Sequence, residues 1–270
     1  MDKGLLVVSF GTSHKDTREK TIDAIEKQLA FACPERQFKK AYTSSIIRKL
    51  IKKNENLTIR DVKGAFEDFV AEGITDILVQ PTHVIHGAEY DKIMKAALET
   101  GLGMADIKLG NALLDSSRDY EEVCKGVVKA VQAEGYDVTN SEIALVLMGH
   151  GTEHHSDSAY AALDYRFKAL GYPHVYVATV EGYPDLETVK EAVARQGARE
   201  VVLMPFMMVA GDHAKNDMAG EEEDSWKSQF EKEGYEVNCI LRGLGEFDFV
   251  RRMFIRHLQM ADEALSVRES

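Results

Sequence analysis

Nine histidines are spread along the 270 residues, and three groups of them trail short apolar runs: His83 with His86, His150 with His154 and His155, and His213. In α/β chains the positions just after a strand are where functional groups are placed. His150 lies in Met148-Gly149-His150-Gly151-Thr152, where the flanking glycines permit a sharp turn and close approach of a large ligand to the backbone. His213 follows Val209-Ala210-Gly211-Asp212, and Glu181 stands next to Gly182 at the end of another apolar run. Two neutral imidazoles and a carboxylate with open positions suit a divalent first-row metal such as cobalt, nickel, iron or zinc. Imidazole titrates near pH ~6.5, so the same residues also suit proton acceptance from a ligand nitrogen. Holding a metal and taking protons are together what metal insertion requires.

Other features carry less chemistry. His83 and His86, three residues apart, have the spacing of a second metal pair, but they also read as part of a strand end. His154 and His155 follow the glycine turn and read either as exposed loop residues or as a supply of metal to His150. Met204, Met207 and Met208 resemble a soft-metal site, yet their strand context makes them core packing.

Positioning these residues takes a regular scaffold. Apolar runs of strand length occupy residues 4–10, 74–81, 143–148, 174–180 and 200–208, with weaker ones at 37–43, 107–110 and 237–241. Segments of helical period separate them, such as Ile22, Ile25 and Leu29, or Val189, Ala192 and Val193. Strand and helix in alternation predict an α/β fold of parallel sheets with helices on both faces.

Two stretches of the first half recur in the second. The run Leu5 to Thr12 and the run Ala144 to Thr152 both end a strand on Gly-Thr. Residues 76–89 align without a gap on 200–213 through strand, proline and glycine, which sets Glu89 opposite His213. Duplication predicts two similar lobes, 1–130 and 131–270, parted in the turn-rich stretch 133–141 that holds Gly135, Asp137 and Asn140. A duplicated fold of this kind is expected to hold its site in a cleft between strand C-terminal ends.

Composition narrows the partners. With 44% hydrophobic, 8% aromatic and 29% charged residues the chain is globular rather than disordered. Forty-five acidic against 33 basic residues give a net charge of -12, which disfavours nucleic acid and anionic membranes and draws in divalent cations. An anionic ligand would need a local basic or amide-rich pocket. Cys33, Cys124 and Cys239 are too few and too far apart for a disulfide framework. The apolar run 5–10 is too short for a signal h-region or a membrane span, so the expected location is the cytoplasm.

Longer motifs carry a family resemblance. The segment from Leu5 to Ser13, the Met148–Thr152 turn, Glu181-Gly182-Tyr183-Pro184, the stretch from Met204 to Met218, Asp224-Ser225-Trp226-Lys227 and Gly243-Leu244-Gly245-Glu246 closely resemble, in order, the anaerobic class II cobaltochelatases that act on sirohydrochlorin. The resemblance spans nearly the whole chain. It implies a two-lobed chelatase fold related to ferrochelatase, and insertion of cobalt(II) into sirohydrochlorin or precorrin-2 on the early-insertion route to cobalamin. Cobalt(II) would be a substrate, no organic cofactor is expected, and a homo-oligomer is implied.

Carried over residue by residue, the resemblance makes His150, Glu181 and His213 the metal ligands, with the histidines accepting pyrrole protons. It also makes Glu89 the acidic residue of the first lobe, for proton relay or metal guidance. The macrocycle carries many carboxylates, which an acidic protein must meet with local donors. Candidates are Thr12 and Ser13 at a helix start, and Thr43, Ser44 and Ser45 with Arg48, although each also reads as an ordinary helix cap. Iron or nickel insertion, or a non-catalytic tetrapyrrole or metal carrier, would use the same donor set. A zinc hydrolase is disfavoured by the absence of an HExxH or Gly-x-Ser-x-Gly motif.

Overall fold

All eight expected strands form in the computed structural model, which describes residues 2–101 and 105–264. In chain order the elements are β1 (Lys3–Ser9), α1 (Lys15–Lys20), α2 (Ile22–Ala32), β2 (Gln37–Tyr42), α3 (Ser45–Glu55), α4 (Val62–Ala71), β3 (Asp76–Pro81), α5 (Ala88–Gly101), β4 (Asp106–Leu109) and α6 (Ser117–Ala133). There follow β5 (Ile143–Gly149), α7 (Ser158–Ala169), β6 (Val175–Thr179), α8 (Leu186–Gln196), β7 (Glu200–Pro205), a single π-helical turn (His213–Met218), α9 (Trp226–Lys232), β8 (Glu236–Cys239) and α10 (Asp248–Glu263). The β7 strand ends at Pro205 rather than running to Met208 as expected, with Phe206 N–H donating one last bond to the Met148 carbonyl at 2.7 Å. No helix among the described residues is long and apolar enough to cross a membrane.

Two parallel four-stranded sheets result, ordered β2-β1-β3-β4 and β6-β5-β7-β8. The duplication extends to the register: Val8 pairs with Pro81 between β1 and β3, and Met148 pairs with Pro205 between β5 and β7. The central strands β1, β3, β5 and β7 are rich in Val, Leu and Ile because both their faces are covered. In the first unit Leu6, Val8, Ile77 and Val79 pack with Phe66 and Phe69 of α4 and Ile93 of α5. In the second, Val146, Met148 and Leu203 pack with Val189 and Val193 of α8 and with Trp226 and Phe230 of α9. Of the three methionines expected to pack in the core, Met204 is wholly buried, while Met207 and Met208 lie past the strand's end and are half-buried.

The compact units do not part where the turn residues suggested. One comprises the described residues of Met1–Asp115 and Asp248–Ser270; the other is Ser116–Phe247. Helix α6, expected in the first lobe, belongs to the second unit, where it packs on α7. Helix α10 belongs to the first, lying on β3, β4 and α2 with Val250, Met253, Phe254 and Leu258 buried. Two cations hold its end there: Arg36, itself buried, donates to Asp262 Oδ1 at 2.8 Å, and Lys108 donates to the Asp262 carbonyl at 2.6 Å. Residues 133–141 only connect α6 to β5 inside one unit.

Candidate metal centre

The second unit brings the predicted trio to the C-terminal rim of its sheet. His150 leaves the end of β5, Glu181 follows β6, and His213 opens the π-turn after β7. Adjacent strand ends place the first two side by side, with Glu181 N–H donating to the His150 carbonyl at 2.9 Å. Nδ1 of His150 lies 3.6 Å from Glu181 Oε2, and the His150 and His213 rings meet edge to face with centroids 4.8 Å apart.

Glycines make that rim possible. A Cβ on Gly149 would lie 2.4 Å from the ring of Tyr160, and Gly151 has φ +79° with its Cβ direction 2.4 Å from the Gly182 nitrogen. Any larger residue at 151 would drive the His150 loop away from the Glu181 loop. Asp157 ties the same two loops together: Oδ1 accepts from Thr152 N–H at 3.0 Å and Oδ2 from Tyr183 N–H at 2.8 Å.

Both imidazoles are oriented from behind. Nδ1 of His213 is 2.5 Å from Asp217 Oδ2, and Nδ1 of His150 is 3.1 Å from the Gly151 carbonyl. These partners imply the Nδ1–H tautomer, which leaves an Nε2 lone pair on each ring. A carboxylate behind a ligating histidine is the arrangement that raises its basicity toward a metal. Among the described residues no three His, Cys, Asp or Glu side chains already converge in ligating geometry. The trio is an open set: His150, Glu181 and His213 side chains are 44%, 60% and 36% exposed, so rotation about exposed torsions is what remains to gather them on one ion.

Glu89 lies in the first turn of α5 in the other unit, paired with Lys92. Burial raises its carboxyl, but the Lys92 bond, the nearby Thr43 hydroxyl and the Lys92 charge outweigh that and hold it below the usual carboxylate range. The substrate-binding candidates all belong to this first unit and are partly engaged locally. Thr12 Oγ1 accepts from His14 N–H at 3.2 Å, Ser44 caps α3 by accepting from Ile47 N–H at 3.3 Å, and Arg48 pairs with Asp61 at 3.3 Å. Ser45 is exposed and Ser13 half-buried, while the Thr43 hydroxyl is shielded from solvent.

His86 is 3.1 Å from Asp115 with its ring tilted against that of Tyr90, and the rings of His154 and His155 lie tilted against each other with centroids 4.0 Å apart. Asp157, Asp217 and Tyr160 were missed by sequence reasoning. Asp217 had a signal, since four residues on from His213 in one turn puts it on the same face. Asp157 and Tyr160 had none, because their roles depend on contacts with other loops.

A family model described as cobalt chelatase (CbiK) matches residues 3–263. The chain is 39% identical over 261 residues to the sirohydrochlorin cobaltochelatase of Salmonella typhimurium, covering 97% of each. It is 31% identical over 265 residues to the sirohydrochlorin cobaltochelatase CbiKC of Nitratidesulfovibrio vulgaris, covering 97% of this chain and 92% of that one. Among solved structures, SirB from Bacillus subtilis with Fe3+ matches with a TM-score of 0.66 at 14% identity, over 97% of this chain and 96% of that one. CbiX, from siroheme biosynthesis in denitrifying bacteria, matches at 0.53 and 13% identity, over 96% and 99%. At these identities the two structures speak for the fold alone.

Proposed function

Because the chain belongs to the cobalt chelatase (CbiK) family, we propose that it inserts cobalt(II) into sirohydrochlorin, with His150, Glu181 and His213 receiving the metal before transfer. The observation that carries this reading is the pair of rear-anchored imidazoles, 4.8 Å between ring centroids, with Glu181 beside one of them. Borderline nitrogen donors with one carboxylate suit a divalent first-row ion, and the exposed rim lets the ion leave again. A closed site would keep its metal.

The chemistry needs no covalent step. The protein presents the metal to a bent macrocycle whose pyrrole lone pairs tilt to one face, and two N–H protons depart as the metal becomes bound by the four ring nitrogens. Glu89, held ionised, is the base in the first unit. Thr12, Ser13, Thr43, Ser45 and Arg48 are the donors offered to the macrocycle's carboxylates, and Ser44 shapes the loop that carries them. The scheme uses no organic cofactor.

The test is an anaerobic mixture of protein, sirohydrochlorin and cobalt(II), followed by the absorbance change on insertion, with iron(II) and nickel(II) in parallel. Insertion well above the protein-free rate, lost in His213→Ala, is expected. Equal rates with and without protein, despite tetrapyrrole binding, would sink the enzyme and leave a carrier.

A further inference from the structure

An open metal site holds its ion well only if the ligands start from fixed places. Donors that must first be gathered bind more weakly, and a misplacement of about 1 Å costs up to about 100-fold where geometry decides the outcome. His150 and Glu181 leave the sheet on separate loops, after β5 and β6. Their spacing is therefore set by whatever joins those loops.

Two devices join them. The backbone supplies the first: Val180 N–H donates to the Gly149 carbonyl at 3.1 Å, and Glu181 N–H to that of His150 at 2.9 Å. The side chain of Asp157 supplies the second, with Oδ1 accepting from Thr152 N–H at 3.0 Å and Oδ2 from Tyr183 N–H at 2.8 Å. Thr152 stands two residues past His150, and Tyr183 two past Glu181. One carboxylate thus grips both loops at the same remove from the two ligands.

The grip is more than a local turn. Asp157 occupies the N-cap of α7, where an aspartate ordinarily accepts from a helix N–H, yet its side chain makes no capping bond and both oxygens go to the loops. Gly182 makes room for it: a Cβ there would lie 2.2 Å from Asp157 Oδ1 and 2.7 Å from Oδ2. No positive φ demands a glycine at 182, so the carboxylate is the reason for one.

The first unit pairs its matching loops through the backbone as well, Thr43 N–H donating to the Ser9 carbonyl at 3.0 Å and Ser44 N–H to that of Phe10 at 3.3 Å. Five residues past Thr12 it has Thr17, with one side-chain oxygen, where the second unit has Asp157 five past Thr152. Backbone pairing is common to the frame, and the two-oxygen grip at this place belongs to the unit that carries the metal ligands.

We propose that Asp157 is a positioning residue of the metal centre: through the Thr152 and Tyr183 N–H groups it fixes the spacing of His150 and Glu181 and so sets how tightly cobalt(II) is held. The proposal rests on the assignment of His150, Glu181 and His213 as the ligands. Without the grip both N–H groups turn to water, the loops drift on their backbone bonds, and the ion itself must draw the donors together.

The experiment is calorimetry of cobalt(II) binding to the whole protein without tetrapyrrole, with a thermal melt of every variant. Asp157→Ala and Gly182→Ala should each weaken binding at least about tenfold, the second because its methyl displaces the carboxylate. Asp157→Asn, of the same size but with a single acceptor oxygen, should weaken it too. In the double variant of Asp157→Ala and Gly182→Ala the losses should not add, since the methyl then has no carboxylate to push. In insertion assays the cobalt(II) KM should rise while kcat and the sirohydrochlorin KM hold. Unchanged cobalt(II) affinity in both Asp157 variants, full additivity in the double variant, or losses that merely track a falling melting temperature would overturn the proposal. His213→Ala run alongside separates the two ideas: cobalt(II) binding retained there breaks the ligand assignment, whereas its loss there with normal binding in the Asp157 variants breaks only the grip.

Discussion

The two units end their strands in matching loops and differ in what the loops carry. Ser44 N–H donates to the Phe10 carbonyl as Glu181 N–H donates to that of His150, and Leu113 N–H donates to the His83 carbonyl as Leu244 N–H does to that of Met207. Thr12 and Thr152 each accept from the N–H of a histidine two residues on, at 3.2 and 3.1 Å. On this shared frame the second unit places His150, Glu181 and His213, and the first places Phe10, Ser44 and Glu89. One backbone geometry thus serves two chemistries, because strand-end loops fix where a side chain begins and leave its identity free.

The sharpest way to break this comparison is to remove the third residue of each set. Both His213→Ala and Glu89→Ala should cut insertion by at least about 100-fold. Calorimetry with cobalt(II) alone should show binding lost in the first and kept in the second; equal losses would erase the distinction between the units. Next, Asp217→Asn removes the anion behind His213 and should weaken cobalt(II) binding by about 10- to 100-fold, read in the same titration.

A matched pair of glycines tests the frame itself. Gly151 and Gly11 have φ of +79° and +102°, and a Cβ would crowd the Gly182 backbone in one case and the Tyr42 ring in the other. Alanine at either should cost about 1–3 kcal/mol in denaturant unfolding, while only Gly151→Ala should also lower cobalt(II) affinity. The smallest effect concerns pH. His83 is held neutral down to about 4, whereas an unfolded histidine titrates near ~6.5, so the unfolded chain binds the extra proton between those values. Stability is then fully present above pH ~6.5 and falls as pH drops toward 4, by about 2–3 kcal/mol from this group. His83→Met, which copies the residue at 207, should flatten that acid limb in melts recorded from pH 4 to 7.

Much of this was legible beforehand, and particular residues show why. Valine and leucine runs such as Leu5–Val8 and Leu145–Met148 have one stable use in a chain that alternates them with helical periods, a parallel strand covered on both faces. The aligned segments 76–89 and 200–213 forecast a common strand order and the equivalence of Glu89 and His213. Ser44 illustrates the opposite case: Ser-Ser before a helix reads equally as cap or ligand site, and the structure uses it as a cap. His83, with His86, read either as a second metal pair or as part of a strand end, since whether a ring nitrogen finds a partner is decided by neighbours distant in sequence.

What the sequence determined by itself is local or periodic: the strands, the helices, the repeat, the glycines that free the His150 turn, and the presence of two imidazoles and a carboxylate at strand ends. Tertiary structure alone decided which unit owns α6 and α10, because amphipathic helices carry an apolar face without an address and the choice falls to surfaces such as β3, β4 and α2. It also decided that Asp157 would join the His150 and Glu181 loops, and that both ring nitrogens of the half-buried His83 would be shielded from solvent without a hydrogen-bond partner among the described residues. Those facts depend on groups brought together across long stretches of chain, and separation in sequence leaves no mark of them.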